Sequence, residues 1–378
     1  TVTDGYTYRC ISYPQTSRMT QNPEEEDLFF KILEAEISKK VEKSNNKKTT
    51  KNIFDNYSKF FAKRPKISLN CKAKDCELSA IQSHSISKNA VLNNISIKGK
   101  VYTPLVEKST IKMGKVGVES QASVFPFLCN LHDTKYFSEL DKLNLDFYSN
   151  VFFEQLISRT LSKEIYNRER NLSITEEVLS KLNLDFEQTK QSFIENFNKK
   201  GILSSAKVTD IKDSRFSYLK YKKELEEKLK SDQWKLAKTV NYYKSNPNII
   251  KFFQIEKTLP VAFSGITNFY ENNLEVHLII NCLPYKNETL LILAYNEKDE
   301  PIIEKELFSK YDLENNDSLL NFIEVISVNG TDNIFFDIKY WDNLPEETQK
   351  KYIKDFSNFT ETDPRNELTY SFLEWDYR

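Results

Sequence analysis

The side chains that bind soft metal ions are concentrated in one stretch of this chain. The sequence has only five cysteines and three histidines among 378 residues. Five of these eight lie between positions 71 and 132, namely Cys71, Cys76, His84, Cys129 and His132. Thiolate sulfur and imidazole nitrogen are the ligands that Zn²⁺ prefers, and four of them complete a tetrahedral site. This stretch therefore constrains the fold more strongly than any other feature of the sequence.

Two of the spacings are those of paired zinc ligands. Four residues separate Cys71 from Cys76, and two residues separate Cys129 from His132. Spacings of two to four residues let one tight turn present two ligands to the same ion. The second pair precedes an apolar helical pattern that begins at Tyr136, so we place it at a helix start. These four residues predict a structural Zn²⁺ site of the treble-clef kind, with two ligands from a knuckle and two from a helix N-terminus.

His84 lies in the apolar-flanked run AIQSHSIS, which we expect to be extended and to lie next to the knuckle. Three interpretations of this histidine remain open at this point. It could be a fourth zinc ligand in place of Cys71, a hydrogen-bonded core residue, or a general base beside a catalytic metal. The last is chemically reasonable because a neutral imidazole with a near-neutral pKa can take a proton from water.

The order of these residues resembles the HNH, or ββα-metal, nucleases in their zinc-bearing form. Two cysteines are followed by a histidine on a predicted strand and then by Cys-x2-His-Asp on a predicted helix. The resemblance covers about residues 65–145. It implies that His84 is the catalytic base and that Asp133 helps to hold Mg²⁺ or Mn²⁺ on the scissile phosphate. The run SHSISKNAVL…ASVFPFLCNLHDTKYFSELD is also similar to bacterial proteins of unassigned function that share an SH…FC..HD..F pattern.

Two positions depart from the HNH pattern. The nucleases usually have Asp or His immediately before the base, where this chain has Ser83. They usually have Asn a few residues before the second zinc pair, where this chain has VFPF at 124–127. The alternative hypothesis is therefore a catalytically inactive, zinc-stabilised module that binds protein or nucleic acid.

Charge does not identify a partner for the whole chain. The 54 Lys and Arg residues nearly balance the 55 Asp and Glu residues, so any nucleic-acid surface must be local. The densest basic region leads into the first cysteine pair. It includes Lys59, Lys63, Arg64, Lys66, Lys72 and Lys74. We interpret it either as a solvated charged face or as a strip that contacts the phosphates of DNA or RNA.

Composition and motifs exclude several classes of protein. Glycine is scarce, with 7 residues, and neither a Gly-rich phosphate loop nor a dinucleotide fingerprint occurs. The chain has no apolar run long enough to span a membrane and no signal-peptide pattern at its start. An odd number of cysteines suits a reducing compartment better than a disulfide framework does. We therefore expect a cytoplasmic protein without a membrane partner.

Periodicity predicts an α+β, multidomain chain. We predict an N-terminal helical segment over 1–64, an HNH-like zinc module over 65–145, a helical region over 146–245, and a C-terminal α+β domain over 250–378. Val-, Ile- and Leu-rich runs at 274–284 and 289–296 predict an antiparallel sheet in the last domain. His277 and Cys282 lie in that pattern, and we interpret them as core or sheet-face residues.

The sequence thus leads to two hypotheses of function. One is a metal-dependent nuclease that hydrolyses phosphodiesters of DNA or RNA, placed by association in bacterial defence against phages. The other is the inactive binding module, with a protein partner at the helical or C-terminal region.

Overall fold

A computed structural model of the chain describes residues 70–107, 110–147, 149–200, 211–245, 247–271, 274–357 and 363–373. Contacts divide these residues into two compact units. The first contains residues 70–167 and 238–373, and the second contains residues 168–200 and 211–237. The predicted helical segment over 1–64, Cys10, and the predicted nucleic-acid contacts Lys59, Lys63, Arg64 and Lys66 lie outside the described residues.

The first unit contains nine described strands, which form a seven-stranded antiparallel sheet and a separate antiparallel pair. The strands are β1 (Gln82–His84), β2 (Lys100–Glu107), β3 (Thr110–Gly117), β4 (Val124–Pro126), β5 (Ile249–Ile255), β6 (Val261–Glu271), β7 (Leu274–Tyr285), β8 (Glu288–Tyr295) and β9 (Ile334–Phe336). The sheet has the order β3-β2-β9-β6-β7-β8-β5. The separate pair consists of β1 and β4. The antiparallel sheet predicted for the C-terminal part is confirmed.

Seven α-helices occur in the described part of the chain. They are α1 (Asn130–Phe137), α2 (Asn150–Lys200), α3 (Ile211–Ser245), α4 (Glu300–Glu306), α5 (Asn316–Asn329), α6 (Ile338–Asn343) and α7 (Glu346–Ser357). The second unit consists of parts of α2 and α3, where Thr175 donates a 2.9 Å hydrogen bond to Asp232. The helices α2 and α3 account for most of the described residues between 146 and 245. Among the described helices, none combines the length and the apolar character that crossing a bilayer requires.

The central strands are apolar on both faces because each face of the sheet is covered. Ile280 of β7 pairs with Leu293 of β8, and both belong to the large core that includes residues of α5 and α7. The neighbouring pair, Ile279 and Ala294, points to the other face and packs on Ile157 of α2. Successive side chains of a strand alternate between faces. A continuous apolar run therefore indicates a strand buried on both sides.

The predicted boundary between a zinc module over 65–145 and a C-terminal domain over 250–378 needs correction. Strands β2 and β3 belong to the same sheet as β5 to β9, because Tyr102 of β2 pairs with Phe336 of β9. Lys115 of β3 also forms an ion pair with Asp342 of α6 at 3.4 Å. The pairing joins residues more than 200 positions apart, which no local periodicity can indicate. Both predicted segments therefore contribute to the first unit.

A buried carboxylate attaches the C-terminal segment to α5. Glu324 is 2% exposed and accepts a 2.8 Å hydrogen bond from the hydroxyl of Ser371. The backbone N–H groups of Phe372 and Leu373 donate to the same oxygen. Burial raises the pKa of Glu324, while these three donors act in the opposite direction.

Replacement of Glu324 by alanine is expected to lower the free energy of unfolding by about 2–4 kcal/mol, because two buried N–H groups lose their acceptor. Glu324→Gln keeps an acceptor oxygen and should stay within about 1 kcal/mol of the wild type. Because the folded-state pKa is raised, the contribution of Glu324 falls as pH rises above about 4.5. Urea unfolding of the three proteins at pH 4.5 and pH 7 tests this, and the glutamine variant should lack that pH dependence. Equal stability of the alanine variant would contradict it.

Candidate metal centre

The first ligand pair lies on a short turned loop. The backbone N–H of Cys71 donates to the carbonyl of Leu78 at 2.8 Å, and the N–H of Cys76 donates to Ala73 at 3.3 Å. Asp75 lies between them in the left-handed region, with φ of 58°. These bonds close the loop so that both thiols point to the same side. The loop is the knuckle that the Cys71 and Cys76 spacing predicted.

The second ligand pair lies at the N-terminus of α1. Cys129 is the N-cap residue of this helix, and His132 lies in its first turn. The backbone N–H of Asp133 donates to the Cys129 carbonyl at 2.8 Å, which closes that turn. A helix N-terminus favours negative charge, so a thiolate at this position is stabilised. The predicted helix start is confirmed, and α1 ends at Phe137.

The four predicted ligands meet at one point. Their ligand atoms all lie within 4.8 Å of one another. The Sγ atoms of Cys76 and Cys129 are 3.8 Å apart, and the Nδ1 atom of His132 lies 3.2 Å from Cys129 and 3.4 Å from Cys71. For Zn–S bonds of about 2.3 Å and Zn–N bonds of about 2.0–2.1 Å, a tetrahedral ion requires separations of about 3.5–3.8 Å. The cluster is therefore compatible with a structural Zn²⁺ ion.

The thiols differ in how readily they lose a proton. Burial raises the pKa of Cys71 to about 11. Burial also acts to raise the pKa of Cys129, but the backbone N–H and the ring of His132 lower it to about 7. A bound Zn²⁺ requires thiolates, so ion binding must release protons and strengthen as pH rises.

His84 is not part of this cluster, and the interpretation that it replaces Cys71 as a ligand is wrong. It ends β1, and its Nε2 lies 2.8 Å from the carbonyl oxygen of Val118. A carbonyl only accepts, so Nε2 carries the hydrogen and Nδ1 of a neutral ring keeps its lone pair. Burial lowers the pKa of His84 below its ordinary 6.5. The imidazole is therefore neutral and oriented at pH 7.

Asp133 is buried and both of its oxygens are engaged. Ser83 donates to Oδ1 at 2.7 Å, and the guanidinium of Arg159 lies 3.5 Å from Oδ2. Burial raises the pKa of Asp133, whereas the Arg159 charge and the Ser83 hydroxyl lower it. Ser83, which departs from the HNH pattern, thus has a defined task as the partner of this carboxylate.

Arg159 was missed by the sequence analysis, although a signal existed. Its side chain is 1% exposed and donates to Asp141 at 2.9 and 3.2 Å. Its guanidinium also lies 4.6 Å from the ring centroid of Phe137. Arg159 shares the i, i+4, i+7 spacing of the buried residues Phe152 and Leu156. An arginine on the apolar face of a helix indicates a buried ion pair.

A buried polar network attaches the strand of His84 to the sheet. The side-chain NH₂ of Asn333 donates to the Ser85 hydroxyl at 3.0 Å and to the Ser264 carbonyl at 3.1 Å. Ser85 in turn shares a hydrogen bond with the hydroxyl of Ser123, which precedes β4. The loop before β9 therefore fixes both strands of the β1 and β4 pair.

Of the predicted nucleic-acid contacts, Lys72 and Lys74 are described. Both lie on the knuckle, where Lys72 is half-buried and Lys74 is exposed. The backbone N–H of Lys72 donates to the carbonyl of Phe127 at 3.0 Å.

In the described ranges, the Cys71, Cys76, Cys129 and His132 cluster is the one group that could hold a metal ion. His277 and Cys282 lie on β7, where Cys282 is fully buried and His277 stacks on Tyr242, as expected for core and sheet-face residues. Comparison of the chain with protein-family models, curated proteins and solved structures finds no match.

Proposed function

We propose that this protein is a nuclease of the ββα type in which His84 activates the water that hydrolyses a phosphodiester of DNA or RNA. A structural zinc ion would hold the Cys71, Cys76, Cys129 and His132 cluster together. The single observation that carries the proposal is the placement of His84. It ends the first of two antiparallel strands, and the helix that follows the second strand supplies zinc ligands.

The state of His84 suits a general base. Its Nε2–H is fixed on the Val118 carbonyl, so Nδ1 is the atom that would accept the proton of water. A base must be unprotonated at the working pH, and the lowered pKa of His84 meets this need. A defence role against phages remains part of the proposal by association only.

A catalytic Mg²⁺ or Mn²⁺ does not fit Asp133 as it is placed. The carboxylate already accepts from Ser83 and is paired with Arg159, whose positive charge occupies the position of a counter-ion. Its side chain is 11% exposed. We therefore assign Asp133 the task of holding β1, α1 and α2 together, and we derive no step through a second metal.

This arrangement of Asp133 favours a second candidate function. If the charge of Arg159 takes the place of a catalytic cation, the zinc module is not catalytic. It is then a binding module for nucleic acid or for protein, with a protein partner at the helical or C-terminal region. The proposed nuclease and this module differ in one measurable property, namely hydrolysis.

The test is cleavage of plasmid DNA and of a folded RNA by the zinc-loaded protein, with Mg²⁺, with Mn²⁺ and without either. His84→Ala is expected to lower the rate at least about 100-fold, because a positioned general base contributes about 10²–10⁴-fold. His277→Ala is the matched control in β7 and should cleave at the wild-type rate. Equal rates for the His84 variant would exclude it as the base, and no cleavage under any condition would support the binding module.

The pH dependence of cleavage gives an independent check. Burial, Lys88 and Arg159 lower the pKa of His84, and Glu119 acts in the opposite direction. The neutral ring is the active form, so the rate should rise with pH and reach half its maximum below pH 6.5. Initial rates between pH 4.5 and 8 measure this. A midpoint above 6.5 would contradict the assignment.

A further inference from the structure

An exposed ion pair lies beside the imidazole of His84. The Nζ atom of Lys88 donates to both carboxylate oxygens of Glu119, at 3.1 and 2.9 Å. Glu119 directly follows Val118, whose carbonyl holds the His84 ring. Lys88 itself lies four residues after His84. The backbone contact to Val118 and the Lys88–Glu119 bridge therefore bring the base, a cation and a carboxylate to one surface.

The two cations that lower the pKa of His84, Arg159 and Lys88, differ in how accessible they are. Arg159 is 1% exposed and already bound to Asp133 and Asp141. Lys88 is 28% exposed, and its partner Glu119 is 82% exposed. Lys88 is thus a cation that a substrate at the His84 ring can reach.

A phosphate can replace the Glu119 carboxylate on the ammonium group of Lys88. Ion pairs between exposed groups are weak, because water screens them and two flexible side chains must be held in one geometry. A phosphodiester offers oxygens that can replace a carboxylate on the same ammonium group, which has three donors. A water activated at His84 must lie next to the phosphorus that it attacks, and the Lys88–Glu119 pair lies beside Val118, whose carbonyl holds the same ring.

We infer that Lys88 binds a non-bridging phosphate oxygen of the nucleic acid at the His84 surface and that Glu119 is the internal competitor which the phosphate displaces. The inference rests on the proposed function for its substrate class, since it places a DNA or RNA phosphodiester at His84. It adds Lys88 as a residue that strengthens nucleic-acid binding and Glu119 as a residue that weakens it.

The experiment measures binding and requires no cleavage. Fluorescently labelled duplex DNA and single-stranded RNA are titrated with zinc-loaded protein by anisotropy, at several salt concentrations and without added Mg²⁺ or Mn²⁺. Each phosphate contact contributes a slope of about 0.7–0.9 to the fall of log K with log salt. Lys88→Gln should reduce the slope by about that amount and weaken binding about 5- to 10-fold at low salt. Glu119→Gln should tighten binding about 2- to 5-fold.

Lys350→Gln is the control, because Lys350 also pairs with an exposed carboxylate, that of Glu346 on α7, at 2.7 Å. It should leave both the affinity and the slope unchanged. An unchanged slope for Lys88→Gln, weaker binding by Glu119→Gln, or no binding by the wild type would each overturn the inference.

The outcomes separate the inference from the proposed function. If the wild type cleaves through His84 while Lys88→Gln binds with an unchanged slope, the inference fails and the nuclease stands. If no cleavage occurs but the slope changes as expected, the phosphate site stands on a binding module.

Discussion

Replacement of Cys76 by serine is expected to abolish zinc binding and to unfold the segment that carries the metal centre. A serine hydroxyl does not ionise at neutral pH, so a fourth strong ligand is lost from the cluster of Cys71, Cys129 and His132. Structural Zn²⁺ contributes about 10–16 kcal/mol in zinc-finger peptides, and all of that is folding free energy. The zinc content measured by elemental analysis should fall from about one equivalent to less than about 0.1. The midpoint of thermal unfolding should fall as well.

The control for this variant is Cys282→Ser. Cys282 is fully buried on β7 and lies outside the metal cluster. Its thiol lies 3.7 Å from the carbonyl of Val261, which a hydroxyl can also use. We expect this variant to keep its full zinc content and to lose only about 1–2 kcal/mol. A Cys76→Ser protein with normal zinc content and an unchanged thermal midpoint would show that the cluster does not hold the ion.

Replacement of Arg159 by alanine is expected to lower the free energy of unfolding by about 3–5 kcal/mol. Removing one partner of a buried ion pair leaves the other charge uncompensated in a dry environment. Here the uncompensated charge is that of Asp133, which is buried. The substitution also leaves a cavity beside the ring of Phe137. Urea unfolding with a zinc measurement on the same samples tests this, and zinc content should stay at about one equivalent.

Arg365→Ala provides the control, because Arg365 has a similar set of partners at the surface. It pairs with Asp363 and with Glu271, and it lies 5.0 Å from the ring centroid of Phe269. Its side chain is 23% exposed, so solvent screens the pairs and the expected loss is about 1 kcal/mol or less. If the two arginine variants lose equal stability, burial is not what makes Arg159 important.

A second variant separates the charge from the volume of Arg159. Asp133→Asn in the Arg159→Ala background removes the uncompensated charge while the cavity remains. The double variant should recover about 1–3 kcal/mol relative to Arg159→Ala. If the double variant recovers no stability, the loss in Arg159→Ala comes entirely from the lost packing of the side chain.

The candidate metal centre could be predicted because its signals are local. Ligand pairs such as Cys71 and Cys76 must share one turn, so their spacing is visible along the chain. The strands β7 and β8 were predicted for a similar reason, since their apolar runs depend on neighbours within a few positions. The C-terminal end of α1 has no such local signal, because nothing near Phe137 in sequence marks the place where the helix stops.

Other features depend on partners that are distant in sequence. Ser83 and Asp133 are 50 residues apart, and Asn333 reaches Ser85 across 248 residues. The pairing of β2 with β9 joins segments that looked like separate domains. Such contacts depend on how the layers of the fold pack and on which buried polar groups need hydrogen-bond partners. The periodicity of the sequence carries no information about either.

The sequence by itself predicted four candidate metal ligands, an antiparallel sheet and a histidine in an extended run. Those depend on ligand chemistry and on periods of a few residues. Only the tertiary structure decided what His84 and Asp133 can do, because their chemistry is set by Val118, Ser83 and Arg159. A side chain acquires its charge state and its free atoms from the groups that surround it after folding, and those groups come from distant parts of the chain.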